Sequence, residues 1–227
     1  MDYKEIERIF YRDGYHMAAR YLEDELTESN IKEAIARLYQ VTDELLGSFL
    51  SRTSAEGRPA SCKKGCSWCC HQLVFGVTHE FLFIRQFIEQ LGEETLQEDF
   101  VEKARAKAGM TTGKPLKEQL LVRSPCPFLR EGSCAIYEAR PMACRIYLSA
   151  SVETCMKQHA HPGDERRFAD LYEFPLRAGR MLNEGFVAYL KQSGLQTEEY
   201  PVEQGYLSIL DAQLTMTAWL MQRDDFA

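Results

Sequence analysis

Four closely spaced cysteines are the feature that most constrains how this chain can fold. Cys62, Cys66, Cys69 and Cys70 fall within nine consecutive positions, and the last two are adjacent. Packing rarely needs thiols at this density, whereas soft metal ions and iron–sulfur clusters take several sulfur ligands at short range. A helical stretch would put all four on one face, and a turn could bend tightly at Gly65. The stretch is predicted to form one half of a metal site.

The other half is predicted to come from four cysteines further along the chain: Cys126, Cys134, Cys144 and Cys155. Two short apolar runs flank a turn that contains Gly132, which predicts a β-hairpin with Cys126 and Cys134 near its base. Pro141 suits the first turn of a short helix that carries Cys144. All eight cysteines are therefore predicted metal ligands, and the metal would connect two distant segments.

An even number of cysteines also fits disulfide bonds, but the rest of the chain favours reduced thiols. With 227 residues, the chain can bury a core without disulfides. Its charged first residues, 1–7, lack the apolar run of a signal peptide, and no window approaches the length of a membrane span. We therefore expect a cytoplasmic protein whose thiols stay reduced and bind metal. A disulfide between the adjacent Cys69 and Cys70 would also be strained.

The charge of the chain is unevenly distributed. The net charge is −7, which argues against a general nucleic-acid partner. Residues 101–145 differ, with nine basic and four acidic side chains and hence a net charge of +5. This segment contains three of the cysteines, and nearby cations would favour the ionised thiolate form of a ligand. The alternative is a solvated basic face that takes no part in binding.

Apolar residues recur mostly at helical spacing, which predicts a mainly α fold with a small β-hairpin in the cysteine-rich part. We expect one compact domain, with N-terminal helices over 1–60, the metal-binding region over 61–156 and C-terminal helices over 157–227. The helix from Thr78 to about Leu91 is apolar on most sides and is predicted to lie buried at the centre.

Local signals predict several helix boundaries. Asp13-Gly14 is expected to interrupt the first helix, and Asn30 is expected to cap the second. Thr78 is expected to cap the central helix, and Gly92 to end it. The last helix is predicted to run from Leu207 to Met221 without a break.

The adjacent pair Cys69 and Cys70 limits the geometry of the site, because neighbouring residues do not easily fill two corners of one tetrahedron. The two are expected to bind different metals. The alternative is that only one of them is a ligand and the other lies close beside the same metal site. Eight thiols allow two four-sulfur sites, or one cluster and a mixed site that uses histidine. The candidate histidines are His71, His159 and His161, and Cys155-x3-His159 has a spacing found in zinc sites.

Two arginines, Arg140 and Arg145, lie close to Cys144 in the sequence. A guanidinium group is a fixed fork of donors, so either arginine could hold the sulfurs of a cluster or an anionic substrate. The structural alternative is that they pair with Glu138 or cap backbone carbonyls.

The cysteine pattern extends into neighbouring residues. These are Cys62-x3-Cys66-Ser67-Trp68-Cys69-Cys70-His71 and Val77-Thr78-x-Glu80, then Cys126-Pro127-Phe128-Leu129, Gly132-x-Cys134-x-Ile136-Tyr137, Arg140-Pro141-x-x-Cys144-Arg145 and Cys155. Over residues 60–156 this pattern resembles the YkgJ-type cysteine-cluster family, of the CxxCxxCC type, which is named for zinc or iron chelation. The resemblance implies a metal site without an assigned reaction, and all eight cysteines match it.

Two further resemblances point to enzymes. Some proteins related to this family are labelled flagellin lysine methylases, which implies methyl transfer from S-adenosylmethionine, although those longer chains carry sequence with no counterpart here. The loop Cys62-x3-Cys66-x-Trp68-Cys69 is also similar to the cluster loop of radical S-adenosylmethionine enzymes. Those enzymes need a partial α/β barrel after the loop, whereas the segments that follow here are helical and form no series of β-α units.

Three functions are therefore expected as alternatives. The first is a metalloprotein that holds an iron–sulfur cluster, zinc or both, for a structural, redox or metal-handling role. The second is an S-adenosylmethionine-dependent protein lysine methyltransferase. The third is an interaction module in which zinc staples the loops and the helical faces bind a partner protein. Of the metals, iron–sulfur is favoured, because adjacent thiolates and a basic surround suit a bulky anionic cluster.

Overall fold

Helices make up most of the described chain. The computed structural model describes residues 3–222, and the mainly α prediction is confirmed. The α-helices in this range are α1 (Tyr3–Leu22), α2 (Glu28–Ala55), α3 (Thr78–Leu91), α4 (Glu94–Thr111), α5 (Leu116–Gln119), α6 (Met142–Arg145), α7 (Val152–Ala160), α8 (Glu173–Gln192), α9 (Val202–Asp211) and α10 (Met216–Met221). The strands are β1 (Phe75–Val77), β2 (Leu129–Arg130), β3 (Ser133–Cys134) and β4 (Glu199–Pro201). None of the helices within 3–222 has the length and apolar character needed to cross a membrane.

The two long helices α1 and α8 pack along each other through glycines. A Cβ atom at Gly14 of α1 would collide with the carbonyl oxygen of Leu182 in α8, and one at Gly185 would collide with that of Tyr11. Glycine lets the two backbones approach this closely at both positions. The prediction that Asp13-Gly14 interrupts the first helix is wrong, because α1 continues through it.

The second helix begins earlier than predicted. Thr27, not Asn30, caps α2, and its Oγ1 accepts a hydrogen bond from the backbone N–H of Asn30 at 3.2 Å. Asn30 lies inside the first turn, where its side-chain amide donates to the carbonyl oxygen of Glu25 at 2.8 Å. Both residue types are favoured at caps, so local sequence does not rank one above the other.

The central position of α3 agrees with the prediction. Phe81 and Ile84 are almost fully buried, and Gly92 ends the helix in the left-handed conformation with φ of 69°. The expectation that Thr78 caps this helix is wrong, since Thr78 is its first residue. The Thr78 hydroxyl instead accepts a hydrogen bond from the backbone N–H of Glu198 at 2.9 Å.

An antiparallel pair of strands joins the cysteine-rich part to the C-terminal helices. β1 pairs with β4, with Gly76 opposite Tyr200, and the backbone N–H of Val202 donates to the carbonyl oxygen of Val74 at 2.9 Å. This pairing places the first residue of α9 beside the segment that follows the first four cysteines. The sequence alone did not indicate it, because each strand has only three residues.

The predicted β-hairpin is present as β2 and β3. Leu129 lies opposite Cys134, and Arg130 lies opposite Ser133. Between the strands, Glu131 and Gly132 have φ of 48° and 74°. Positive φ at both turn residues matches the right-handed twist of a two-residue hairpin.

The prediction of one unbroken last helix is wrong, because α9 and α10 are separate. Gln213 between them has φ of 51°. Thr215 caps α10 by accepting a hydrogen bond from the backbone N–H of Ala218 at 3.1 Å. The break lets Trp219 enter the core, where it is 2% exposed and its indole N–H donates to the carbonyl oxygen of Gln196 at 2.8 Å.

Candidate metal centre

A cavity of about 640 Å³ lies between the first cysteine segment, the β2–β3 hairpin and α6. Seven of the eight cysteines line it: Cys62, Cys66, Cys69, Cys70, Cys126, Cys134 and Cys144. Cys155 lies outside this cavity and, with Cys69, lines a separate opening of about 10 Å³. The two distant halves of the predicted site therefore meet in the folded chain.

The first cysteine segment bends through a turn rather than an α-helix. Gly65 has φ of 88°, and the backbone N–H of Cys66 donates to the carbonyl oxygen of Lys63 at 3.0 Å. A short 3₁₀ turn follows over Trp68–His71. Of the two predicted alternatives for this segment, the structure has the turn at Gly65.

The hairpin is fastened directly to the first segment by backbone hydrogen bonds. The N–H of Cys126 donates to the carbonyl oxygen of Cys70 at 2.7 Å, and the N–H of Ser124 donates to that of His71 at 3.0 Å. The N–H of Leu129 then returns to the carbonyl oxygen of Cys126 at 3.0 Å. The backbone alone thus brings the second half of the site to the first.

Glu80 holds the helix that carries Cys144. Its side chain is almost fully buried, and one carboxylate oxygen accepts a hydrogen bond from the backbone N–H of Met142 at 2.7 Å. The other oxygen accepts from the N–H of Val77 at 3.0 Å, and the hydroxyl of Tyr39 donates to the carboxylate at 3.2 Å. Burial raises the pKa of Glu80, while these donors oppose that rise. In the sequence, the motif Val77-Thr78-x-Glu80 indicated where α3 begins. It did not indicate that Glu80 also contacts Met142.

Arg145 acts within the protein framework. Its guanidinium donates to the carbonyl oxygens of Arg140 and Glu138, and to the Asp43 carboxylate at 2.6 Å. The same group lies 3.9 Å from the centre of the Tyr39 ring. Of the structural contacts predicted for this residue, carbonyl capping is present, and its carboxylate partner is Asp43 rather than the Glu138 side chain.

Arg140 lies nearer the surface of the same region. Its guanidinium stacks 3.6 Å above the ring of Tyr137 and donates to the Tyr137 carbonyl oxygen at 2.8 Å. Both arginines line the cavity, so their charges still act on the thiols.

A buried ion pair on the cavity wall escaped the sequence analysis. Nζ of Lys107, on α4, lies 3.8 Å from Oε2 of Glu203, on α9, and the two side chains are 5% and 1% exposed. Lys107 also donates to the carbonyl oxygen of Gln72 at 3.1 Å, whereas both carboxylate oxygens of Glu203 are buried without a hydrogen-bond partner. The available signal was that Lys107 shares the buried face of α4 with Phe100 and Ala104.

Seven of the cysteines are half-buried in the folded chain, and Cys62 is exposed. Burial raises the pKa of Cys62, Cys126, Cys134, Cys144 and Cys155, that of Cys126 to about 11. A hydrogen bond from the Cys70 thiol lowers the pKa of Cys69 to about 7 and raises that of Cys70. Metal binding at such thiols releases protons, because the thiolate is the ligand.

The histidines proposed as ligands lie outside the cavity. Nδ1 of His71 is 2.9 Å from the carbonyl oxygen of Ser67, and its ring lies against that of His159 at 5.3 Å. His159 lines the smaller opening beside Cys155, and His161 is exposed. Within residues 3–222, no three histidine, cysteine or acidic side chains converge closely enough to hold a single ion.

A helical fold that gathers seven cysteines around one cavity defines a metal-chelating cysteine-cluster domain. Residues 61–163 match the model of the CxxCxxCC family, described as a "putative zinc- or iron-chelating domain". This segment is therefore similar to that family, in agreement with the resemblance seen over residues 60–156. The match includes all eight cysteines and leaves α1, α2 and α8 to α10 outside it.

The family description confirms metal chelation as the function of the segment. It names zinc and iron alike and gives no reaction, and it supports neither methyl transfer nor a zinc-stapled interaction module. No curated protein and no solved structure matches the chain.

Proposed function

We propose that this protein binds an iron–sulfur group through the cysteines of the central cavity, with zinc as the alternative metal. The observation that carries the proposal is that seven of the eight cysteines line one cavity. The proposed ligands are Cys62, Cys66, Cys69, Cys70, Cys126, Cys134, Cys144 and Cys155. When bound, the metal group would connect cysteine sulfurs that no bond of the polypeptide joins.

The charge of the cavity wall supports thiolate ligands. The ionisable side chains other than cysteine and tyrosine on this wall are Lys63, Lys64, Lys107, Arg140, Arg145 and Glu203. Five of these six groups are basic. Cations close to cysteines favour the ionised thiolate, which is the form that binds metal. The wall therefore compensates the negative charge that several thiolates would bring together.

The spread of the sulfurs supports a cluster over a single zinc ion. Tetrahedral zinc with Zn–S bonds of about 2.3 Å holds its four sulfurs about 3.8 Å apart. No three candidate donors in the described part of the chain converge around one ion. A [4Fe–4S] cluster takes each of four cysteines at a different iron, and so it accepts thiols that are further apart than around one zinc ion.

The metal group is proposed to hold the first cysteine segment and the hairpin together. Its proposed role is structural, redox or metal handling. The eight cysteines are all free, and the chemistry needs them reduced. The reducing cytoplasm is therefore the proposed location.

Anaerobic purification of the full chain, followed by metal and sulfide analysis and visible absorption, tests the proposal. We expect iron, sulfide and broad visible absorption, all of which Cys134→Ser should reduce. Arg130→Ala, an exposed neighbour on the same hairpin, is the matched control and should leave them unchanged. A colourless protein with stoichiometric zinc would select the alternative metal. A chain without metal, with eight thiols that titrate under native conditions, would overturn the proposal.

A further inference from the structure

We propose that the part of the central cavity between α4 and α9 binds a small molecule through a primary carboxamide group. Lys107 of α4 and Glu203 of α9 are the polar residues of this subsite. Its apolar residues are Val74, Phe128 and Val202. None of the five is a proposed metal ligand, so the subsite goes beyond the metal binding proposed above. The cavity volume of about 640 Å³ is typical of pockets that hold small molecules.

Direct contacts place the residues of the subsite next to one another. Nζ of Lys107 lies 3.8 Å from Oε2 of Glu203. The residue before Glu203 on α9 is Val202, and its backbone N–H donates to the carbonyl oxygen of Val74 at 2.9 Å. The first turn of α9 therefore carries a carboxylate and an apolar side chain to the same part of the wall.

The aromatic wall of the subsite is the ring of Phe128. This side chain is 1% exposed, and its ring lies 5.2 Å from the rings of both Phe100 and Tyr206. Tyr206 lies about one turn after Glu203 on α9, so Phe128 packs beside the same part of that helix. Both neighbouring rings hold Phe128 in place. A fixed aromatic wall of this kind suits the apolar body of a ligand.

The carboxylate of Glu203 has no hydrogen-bond donor of its own. Its side chain is 1% exposed, and neither oxygen has a hydrogen-bond partner within residues 3–222. The ammonium of Lys107 does not fill this role, because 3.8 Å is too long for a hydrogen bond between nitrogen and oxygen. Burial of a carboxylate is costly unless hydrogen bonds compensate it. The two free oxygens therefore point to a ligand that donates hydrogen bonds.

Lys107 decides the rest of the chemistry of the ligand. An ammonium group has several N–H donors, and Lys107 uses one of them on the carbonyl oxygen of Gln72 at 3.1 Å. The charges of Lys107 and Glu203 cancel, so a charged ligand group would leave one charge buried without compensation. An uncharged carboxamide donates from its nitrogen to Glu203 and accepts at its oxygen from Lys107. These two amide atoms lie about 2.2 Å apart, which lets one group bridge both side chains.

Three probes that share one ring test the subsite in the full chain with its metal: benzamide, benzoate and benzylamine. NMR titration should give benzamide a Kd in the millimolar range, as expected for so small a ligand. The two charged probes should bind at least about tenfold more weakly, because each leaves a charge uncompensated. Benzamide should shift the methyl signals of Val74 and Val202, but not those of Ile9 on α1. Equal affinity of the three probes, or no binding of benzamide, would overturn the proposal.

The double variant Lys107→Met with Glu203→Gln tests the two polar residues together. It should bind benzamide at least about tenfold more weakly, because the ammonium donor and the carboxylate charge are both gone. Arg105→Met, at an exposed position of α4, is the control and should bind benzamide as the wild type does. Unchanged affinity in the double variant would overturn the subsite. If that variant does not fold, the three probes still decide with the wild-type chain, and metal content is measured separately in every sample.

Discussion

The carboxylate of Glu80, at the start of α3, accepts a hydrogen bond of 2.7 Å from the backbone N–H of Met142, at the start of α6. One side chain therefore joins the buried helix α3 to the helix that carries Cys144. The same carboxylate also receives the N–H of Val77 at 3.0 Å. The position of a proposed metal ligand thus depends on a residue that is not itself a ligand.

Replacement of Glu80 by alanine should destabilise the fold and reduce metal retention. The substitution leaves the N–H groups of Val77 and Met142 and the hydroxyl of Tyr39 without their partner, at a cost of about 3 kcal/mol in the free energy of unfolding. Urea denaturation measures the loss. Glu94→Ala, at an exposed position in the first turn of α4, is the control. Equal stability of the two variants would contradict the role given to Glu80.

Gly14→Ala should destabilise the protein, although alanine normally favours a helix. The added Cβ would collide with the carbonyl oxygen of Leu182, and forced separation of α1 and α8 should cost about 1–3 kcal/mol. Gly47→Ala on α2 is the matched control, because its Cβ would meet nothing within 4 Å. The control should gain about 0.5–1 kcal/mol from helix propensity. Thermal unfolding that changes in the same direction for both variants would contradict the close contact.

Lys107→Met should weaken metal binding and destabilise the fold. The ammonium lies beside the buried Glu203 carboxylate on the cavity wall, and removal of one member of a buried pair costs about 3–5 kcal/mol. The double variant Lys107→Met with Glu203→Gln should regain much of the stability, because no uncompensated charge remains.

Metal retention separates the two effects of Lys107. In competition with a chelator, both the single and the double variant should hold metal about tenfold less tightly, because the cation is missing from each. Arg105→Met, whose guanidinium makes only an exposed pair of 4.0 Å with Asp211, should change neither property. Recovery of metal affinity in the double variant would show that Lys107 acts only on folding.

His79 should make the fold sensitive to mild acid. Burial lowers its pKa from 6.5 to about 3, and both ring nitrogens lack hydrogen-bond partners. Between about pH 3 and pH 6.5, His79 is protonated in the unfolded chain and neutral in the folded chain. Stability is therefore fully present above about pH 6.5 and falls by up to about 1.4 kcal/mol per pH unit as the pH decreases towards 3.

His79→Leu should remove this part of the acid sensitivity and leave the contribution of the carboxylates. Urea denaturation at several pH values between 4 and 7 measures the difference in slope. His16→Leu, at an exposed position of α1, should keep the slope of the wild-type protein. Parallel pH profiles for the wild type and His79→Leu would contradict the burial of a neutral imidazole.

Structural features that depend on a few neighbouring residues were predicted correctly from the sequence. Glu131-Gly132 makes a hairpin because its two residues adopt positive φ, and Gly92 ends α3 for the same conformational reason. The density of thiols between Cys62 and Cys70 likewise indicated metal chelation, which the family match of residues 61–163 confirms. These signals act over distances of a few residues along the chain.

Contacts between distant elements decided what the sequence by itself left open. Gly14 is a helix breaker by propensity, yet it lies inside α1 because the backbone of α8 needs the space of its missing side chain. Lys107 and Glu203 meet only when α4 packs beside α9. The sequence determined that this chain carries eight thiols of the kind that metals bind, since ligand chemistry belongs to the side chains. Which thiols face each other was decided by tertiary structure, because hydrogen bonds such as that from Cys126 to Cys70 form only in the folded chain.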